Sequence, residues 1–253
     1  MRVQSLTLAV AAVALLAPAP PPAAPAPPAT PASPVAGHPG SRPPAVRESA
    51  VGAAELLAKA RSCDPVSQGR YRTDDGTSAE IPVCGTKGAV FWKADMDIDC
   101  DGRPGRLCNG RTDPLFSDTT AVQQSDGRYL SAETLPYIVV PAPSDIWDHR
   151  EHGIATGSVA AVIYRNRVQY AVVGDTGPRD IIGEASYATA KALGIRPDPR
   201  GGGTPSGVTY IVFRNSRVSP IEDRAATVRA GERLAREFAA EGRNPVPSRP
   251  AGD

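Results

Sequence analysis

The sequence predicts a mainly β fold, a barrel or a sandwich, for its folded part. Short β-branched and apolar runs recur from Ala89 onward. Turns containing Gly or Pro separate them, and apolar residues at helical spacing occur in only a few places. A helical bundle would need the opposite balance.

Taken in order, the chain of 253 residues opens with Arg2 and the uncharged apolar stretch Leu6 to Ala17. A membrane span needs about 20 such residues, so this dozen has the length of a signal-peptide core, with small residues at Ala17 and Ala19 for cleavage. A signal peptide over 1–19 is expected; a retained anchor is the alternative. Twelve of the 27 residues from Pro18 to Pro44 are proline. No helix or sheet ladder persists in such a segment, and a linker over 20–44 is expected to be an extended spacer. The remainder, 45–253, is long enough for one core and one domain, its centre at about 63–215.

Within it, Val46 to Ala60 reads as a short amphipathic helix leading into Cys63. A strand begins at Ala89 ("AVFWKADMD"), and "LPYIVVP", Leu135 to Pro141, is a second. "GSVAAVIYRNRVQYAVVG" holds two apolar runs flanking Arg165-Asn166-Arg167, which reads as a hairpin. Gly207 to Phe213 is a further strand. Two helical segments are exceptions: "YATAKALG", with Ser186 as N-cap and Gly194 as its stop, and a C-terminal helix over 221–241 with apolar residues at helical spacing.

Charge excludes one class of partner. With 28 Lys and Arg against 27 Asp and Glu, the net charge is +1, and no basic stripe points to nucleic acid. The four cysteines, Cys63, Cys84, Cys100 and Cys108, suggest two disulfides in an exported chain. Three pairings are possible; the local one (Cys63 with Cys84, Cys100 with Cys108) is preferred because short loops close easily. Zinc would need tighter Cys-x-x-Cys pairs.

Two acidic features could carry chemistry. The run "AVV" ends at Gly174, so Asp175 should emerge at the rim of the sheet; Glu184 follows Gly183 just ahead of the Ser186 cap. Two carboxyls at one groove could act as acid and base on a glycosidic bond, although turn aspartates that bond their own backbone are commoner. The second feature, "DMDIDCDG", alternates Asp95, Asp97, Asp99 and Asp101 with Met96, Ile98 and Cys100, which in a strand puts all four carboxylates on one face. Such a face needs cations. Asp97 to Gly102 begins like a calcium loop, but its twelfth position is Cys108; a polycationic ligand and a simple Asp-rich turn are the other readings. Trp92, Trp147, Tyr170 and Tyr187 are candidates for stacking on sugar rings, with core packing the alternative. His149 and His152 have metal-pair spacing only on a helix. Serine chemistry has no G-x-S-x-G elbow to support it, and the Gly201–Gly203 run reads as a loop.

"FWKADMDIDCDG", "TDPLF", "LPYIVVP", "GSVAAVIYRNRVQYAVVGDTGP" and "IGEAS", spread from about Ala89 to Phe213, resemble the chitosanases of glycoside hydrolase family 75. The resemblance implies endo-hydrolysis of β-1,4-linked glucosamine polymer with inversion. The family's essential Asp and Glu match Asp175 and Glu184, with no departure at either. "AVVGDTGP…IIGEASYATAKALG" is also similar to the strand–turn–strand–helix pattern of double-psi β-barrels. That implies a six-stranded double-psi-like β-barrel with a few short helices and a C-terminal helix.

On this reading Glu184 is the general acid and Asp175 the general base. Crowding or burial would keep Glu184 protonated, while a helix beginning at Ser186 would oppose that. Asp95, Asp97, Asp99 and Asp101, with Trp92 and Tyr170, would bind chitosan. No cofactor, metal, nucleic acid or membrane (once the signal is cleaved) is implied, and a secreted, extracellular monomer is expected. The alternatives are a peptidoglycan-active enzyme on the same barrel and a calcium-stabilised extracellular binding module without catalysis.

Overall fold

In the computed structural model the described residues are 51–241; the expected signal peptide and the Pro-rich linker lie outside them. Helix α1 (Ala53–Lys59) leads to β1 (Cys84–Gly85), β2 (Ala89–Asp99) and β3 (Tyr137–Pro141). The hairpin comes next as β4 (Val159–Tyr164) and β5 (Arg167–Gly177), turning at Arg165 with φ 57°. Then come β6 (Glu184–Ser186), α2 (Tyr187–Leu193), β7 (Thr204–Phe213) and α3 (Arg224–Ala240). The sheet runs β1-β2-β6-β3-β5-β4-β7, and β7 pairs back onto β2. Six strands therefore close into a barrel and β1 is an appendage, so the barrel reading holds over the sandwich. Closure leaves none of the six as a free edge.

The β2–β6 and β3–β5 pairs are parallel, the other barrel pairs antiparallel. Alternation along each strand builds two apolar layers. Val90, Trp92, Ala94, Met96, Ile138, Val140, Ala160, Val162, Val173, Tyr210 and Val212 form one. Ala89, Phe91, Tyr137, Val139, Ala161, Val172, Ile211 and Phe213 form the other, together with Leu56 of α1 and Ala235 and Phe238 of α3. A 17-residue helix does not fit inside six strands, so the second layer is the outside of the barrel and the first its interior. Phe238 meets Phe213 edge to face at 6.2 Å, fastening α3 to the outer wall.

The Gly194 stop stands where the sequence expects it, whereas α3 begins at Arg224, inside the expected 221–241. Asp223 caps α3 by accepting from the Ala226 N–H at 2.8 Å, and Gly194 closes α2 in the left-handed region at φ 75°. Both local disulfides form, Cys63–Cys84 and Cys100–Cys108. Among the described residues no helix is long and apolar enough to cross a membrane.

One irregularity matters for the site. Ile138 pairs with Val173, but Val139 pairs with Asp175, so Gly174 is an extra residue in β5. Such a bulge shifts the alternation by one and re-aims the side chains beyond it. Asp175 therefore shares the outer face with Val139 instead of pointing inward. A Cβ at Gly174 would lie 2.6 Å from the Tyr137 Cβ, so the bulge needs glycine.

Ser186 ties the site strand to its neighbours. Its buried hydroxyl donates to the Leu135 carbonyl at 2.9 Å and accepts from the N–H groups of Tyr137 (3.0 Å) and Thr189 (3.3 Å). The same atom caps α2 and satisfies an amide of β3. We expect Ser186→Ala to cost about 2 kcal/mol, a lost cap plus an orphaned buried N–H. Urea unfolding at constant m-value measures it, and a loss under about 0.5 kcal/mol would contradict this account.

Candidate active site

Register places the carboxyls. On the outer face Asp97 of β2 sits opposite Glu184 of β6, and Ala185 of β6 pairs with Ile138 of β3. The next residue of β3, Val139, pairs with Asp175 of β5. A row Asp97, Glu184, Val139, Asp175 thus crosses four adjacent strands. Glu184 and Asp175 are two strand steps apart, roughly 10 Å between backbones at about 4.8 Å per step.

This row forms the wall of a cavity of about 600 Å³, lined also by Asp99, Asp101, Asp113, Leu115, Asp198, Arg200 and Gly202. Seven carboxyls and one guanidinium line it; Arg200 Nη2 donates to the Arg111 carbonyl, and Asp198 pairs with Arg196 at 2.7 Å. Leu115, 89 % exposed, stands at the rim. The loop carrying Asp113 is held by the Cys100–Cys108 bridge and by Glu133 Oε1, which accepts from the N–H groups of Leu107 (2.6 Å) and Cys108 (2.9 Å).

The two central carboxyls have contrasting surroundings. Asp175, 8 % exposed, accepts at Oδ1 from the N–H groups of Thr176 (2.7 Å) and Ala121 (2.8 Å). Burial raises its pKa and these two bonds oppose the rise. Glu184 lacks such bonds. Burial, then the charges of Asp97, Asp101 and Asp175, push its pKa up to about 7. The absence of Cβ at Gly177 makes room for it; one there would lie 2.8 Å from Glu184 Oε2. Any pull from the N-terminus of α2 is outweighed.

The flanking acids are also pushed upward. Burial, helped by Asp74, brings Asp97 to about 6, and burial, helped by Asp175 and Asp113, brings Asp101 to about 6. Asp99 is raised well above the usual carboxylate range by burial, although its Oδ1 accepts from the Asp101 N–H at 2.7 Å and the Tyr137 hydroxyl at 3.1 Å.

Other expected site residues lie elsewhere. Asp95 shares the face but is buried beside Gly183, outside the groove wall. Trp92 is 1 % exposed inside the barrel, stacked on Tyr210 at 5.3 Å; its parity matches Met96, so it points away from the aspartates and cannot stack on a ligand in the groove. Tyr170 lies on the outer face, packed against Gly231 of α3. Trp147 is buried in the inner layer, and Tyr187 packs against the outer one. Among the described residues no aromatic side chain lines the groove. His149 and His152 sit on a 3-10 turn and bond locally: His149 Nδ1 pairs with the Ile154 carbonyl at 2.9 Å, and His152 Nδ1 accepts from Trp147 Nε1 at 3.1 Å. Asp198, Arg200 and Gly202 come from a loop whose sequence signals only a turn. Asp113, by contrast, stands in the "TDPLF" motif.

A closed β-barrel with a carboxyl-walled groove, one acid protonated near neutrality and another held by backbone N–H groups, has the equipment of the glycoside hydrolase class. The family model described as fungal chitosanase of glycosyl hydrolase group 75 matches residues 96–244. The chain belongs to that family. An endo-chitosanase of Aspergillus oryzae (strain ATCC 42149 / RIB 40) is 34 % identical over 140 residues, 50 % of this chain and 56 % of that protein. An endo-chitosanase of Aspergillus fumigatus is 28 % identical over 197 residues, 73 % and 78 % of the two. The match thus spans about half the length of the first relative and more of the second.

Raised carboxyl pKa values make the native state bind protons more tightly than the unfolded chain, so stability falls as pH rises between the two values. For Glu184 that window runs from 4.5 to about 7. We expect the melting temperature to fall from pH 4.5 to about 7, and Glu184→Gln to melt higher than the parent at the upper end and to flatten the slope. The gain should be on the order of 1–3 kcal/mol. A flat or rising profile would rule out the crowded-carboxyl account.

Proposed function

We propose that this protein is an endo-acting chitosanase that cleaves β-1,4 bonds between glucosamine units with inversion. The observation that carries the reading is the groove's acidic lining: seven carboxyls against one guanidinium, and no aromatic platform among the described residues. A polymer bearing one ammonium per sugar suits such a wall, whereas a neutral glycan would gain little from it. Asp97, Asp99 and Asp101, joined by Asp113, are the residues we assign to ammonium binding; Asp198 already pairs with Arg196 at 2.7 Å. Trp92 and Tyr170 drop out of that role by their positions.

Glu184, protonated up to about pH 7, gives its proton to the departing glycosidic oxygen. Asp175 takes a proton from a water molecule, whose oxygen attacks the anomeric carbon from the opposite side. Two backbone N–H groups occupy Asp175 Oδ1, which fixes the carboxylate and leaves Oδ2 for the water. A backbone separation of two strand steps, roughly 10 Å, leaves room for a water between the two carboxyls, which supports inversion over the roughly 5–5.5 Å pair of retaining enzymes. The signal-like amino terminus supports a secreted enzyme, and a groove whose acid and base come from one chain supports action as a monomer.

Reducing-end release from highly deacetylated chitosan tests the activity. Glu184→Gln and Asp175→Asn should each lower kcat by about 10²–10⁴ while the protein stays folded. Proton spectra of fresh product should show the α anomer first; β product would replace inversion with retention. KM for chitosan should rise as salt goes from about 0.05 to about 0.5 M, since the ammonium contacts are screened. A KM indifferent to salt would sink the charge-based account of binding.

A further inference from the structure

The proposed mechanism makes no use of Asp95, and the groove does not explain its burial. Asp95 is 4 % exposed, and its Oδ1 is sealed from solvent with no hydrogen-bond partner. A carboxylate left so is costly unless something pairs with it. Asp74 and Asp97 supply only more carboxylate: the three side chains each present an oxygen, all within 4.8 Å of one another.

The arrangement is built from three segments. Asp95 and Asp97 are alternate residues of β2 and so share its outer face. The segment with Asp74 is tied to the chain before β6, where the Arg72 N–H donates to the Asp180 carbonyl and the Ile182 N–H to the Arg72 carbonyl, both at 3.0 Å. Gly183 covers Asp95 from that same segment. Its φ is 129°, and a Cβ there would collide with Asp95 Oδ1, so glycine is required for the lid.

We propose that Asp74, Asp95 and Asp97 bind a divalent cation, with calcium the best-fitting ion, at a site beside the groove that does not depend on what the groove hydrolyses. Oxygen-only donors select a hard ion over zinc or copper. Two oxygens on one calcium, at about 2.3–2.6 Å each, lie at most about 5 Å apart, which the cluster satisfies as it stands; magnesium demands near-ideal octahedral geometry and gives up its water reluctantly, so three carboxylates fixed by strand and loop suit it less. Asp74 is exposed, which leaves an entry path and room for water ligands. The ion gives the buried Asp95 carboxyl a partner. It also pins the Asp74 loop to β2 and takes one oxygen of Asp97, leaving that carboxylate's other oxygen to the groove.

The test uses the purified protein after chelation of divalent ions, melted at fixed ionic strength with added CaCl2, MgCl2 or NaCl, alongside calorimetric titration of calcium. We expect a saturable rise in Tm and one bound calcium per chain, with at least a tenfold higher concentration of magnesium needed for the same rise. Asp74→Asn, a change at an exposed position, should weaken calcium at least tenfold, and Asp95→Asn should abolish the response. No calcium response, or a full response in Asp74→Asn, overturns the proposal. An equal rise with glucosamine hydrochloride at matched ionic strength would also overturn it, by giving the cluster to the ammonium of a sugar.

Discussion

Everything at the site depends on the parallel pairing of β2 with β6, which sets Asp97 opposite Glu184. Burial withdraws both carboxyls from water, which is the larger cost, and like charges facing each other across a ladder add to it. Without a bound cation, a fixed backbone finds relief in protonation, and of this facing pair Glu184, at about 7, takes a proton before Asp97, at about 6. The barrel thus produces an acid that keeps its proton unusually well from an ordinary glutamate by geometry alone.

Such a wall is a burden that the rest of the fold carries. The inner layer is almost wholly apolar, with the stacked Trp92 and Tyr210 at its centre, and the outer layer is covered by α1 and α3. Two of the polar groups buried near the groove have several partners each. Ser186 joins β3, β6 and α2 through one oxygen, and the Tyr137 hydroxyl donates to both Asp99 and the Asp101 carbonyl. These ties hold the carboxyls in place when their mutual repulsion favours spreading.

Much of the fold was legible because its signals are local. The hairpin at Arg165-Asn166-Arg167, the Ser186 cap, the Gly194 stop and the two short disulfide loops are all set by a few neighbouring residues. The barrel itself came from the family-like motifs, since short strands alone left a sandwich open. Period two in "DMDIDCDG" was enough to put the aspartates on one face, and the same parity already set Trp92 on the other, an inference its nearness in sequence concealed. Asp95 could not be separated from its three neighbours, because what distinguishes it is Gly183 arriving from a distant part of the chain. Tyr170 depended likewise on where α3 would dock. Asp198 and Arg200 reach the groove through a turn with no apolar pattern to locate it.

The extra glycine in β5 means that the site is encoded by a count as well as by residue identities. Gly174 adds one residue to a strand whose partner has none to match, and everything after it is read in a shifted frame. A relative that kept the aspartate but lost that single residue would look unchanged when aligned with a gap, yet its carboxyl would face the inside of the barrel. For this architecture, then, comparing letters is not enough to transfer a function; the spacing between Tyr170 and Asp175 is itself part of the inheritance.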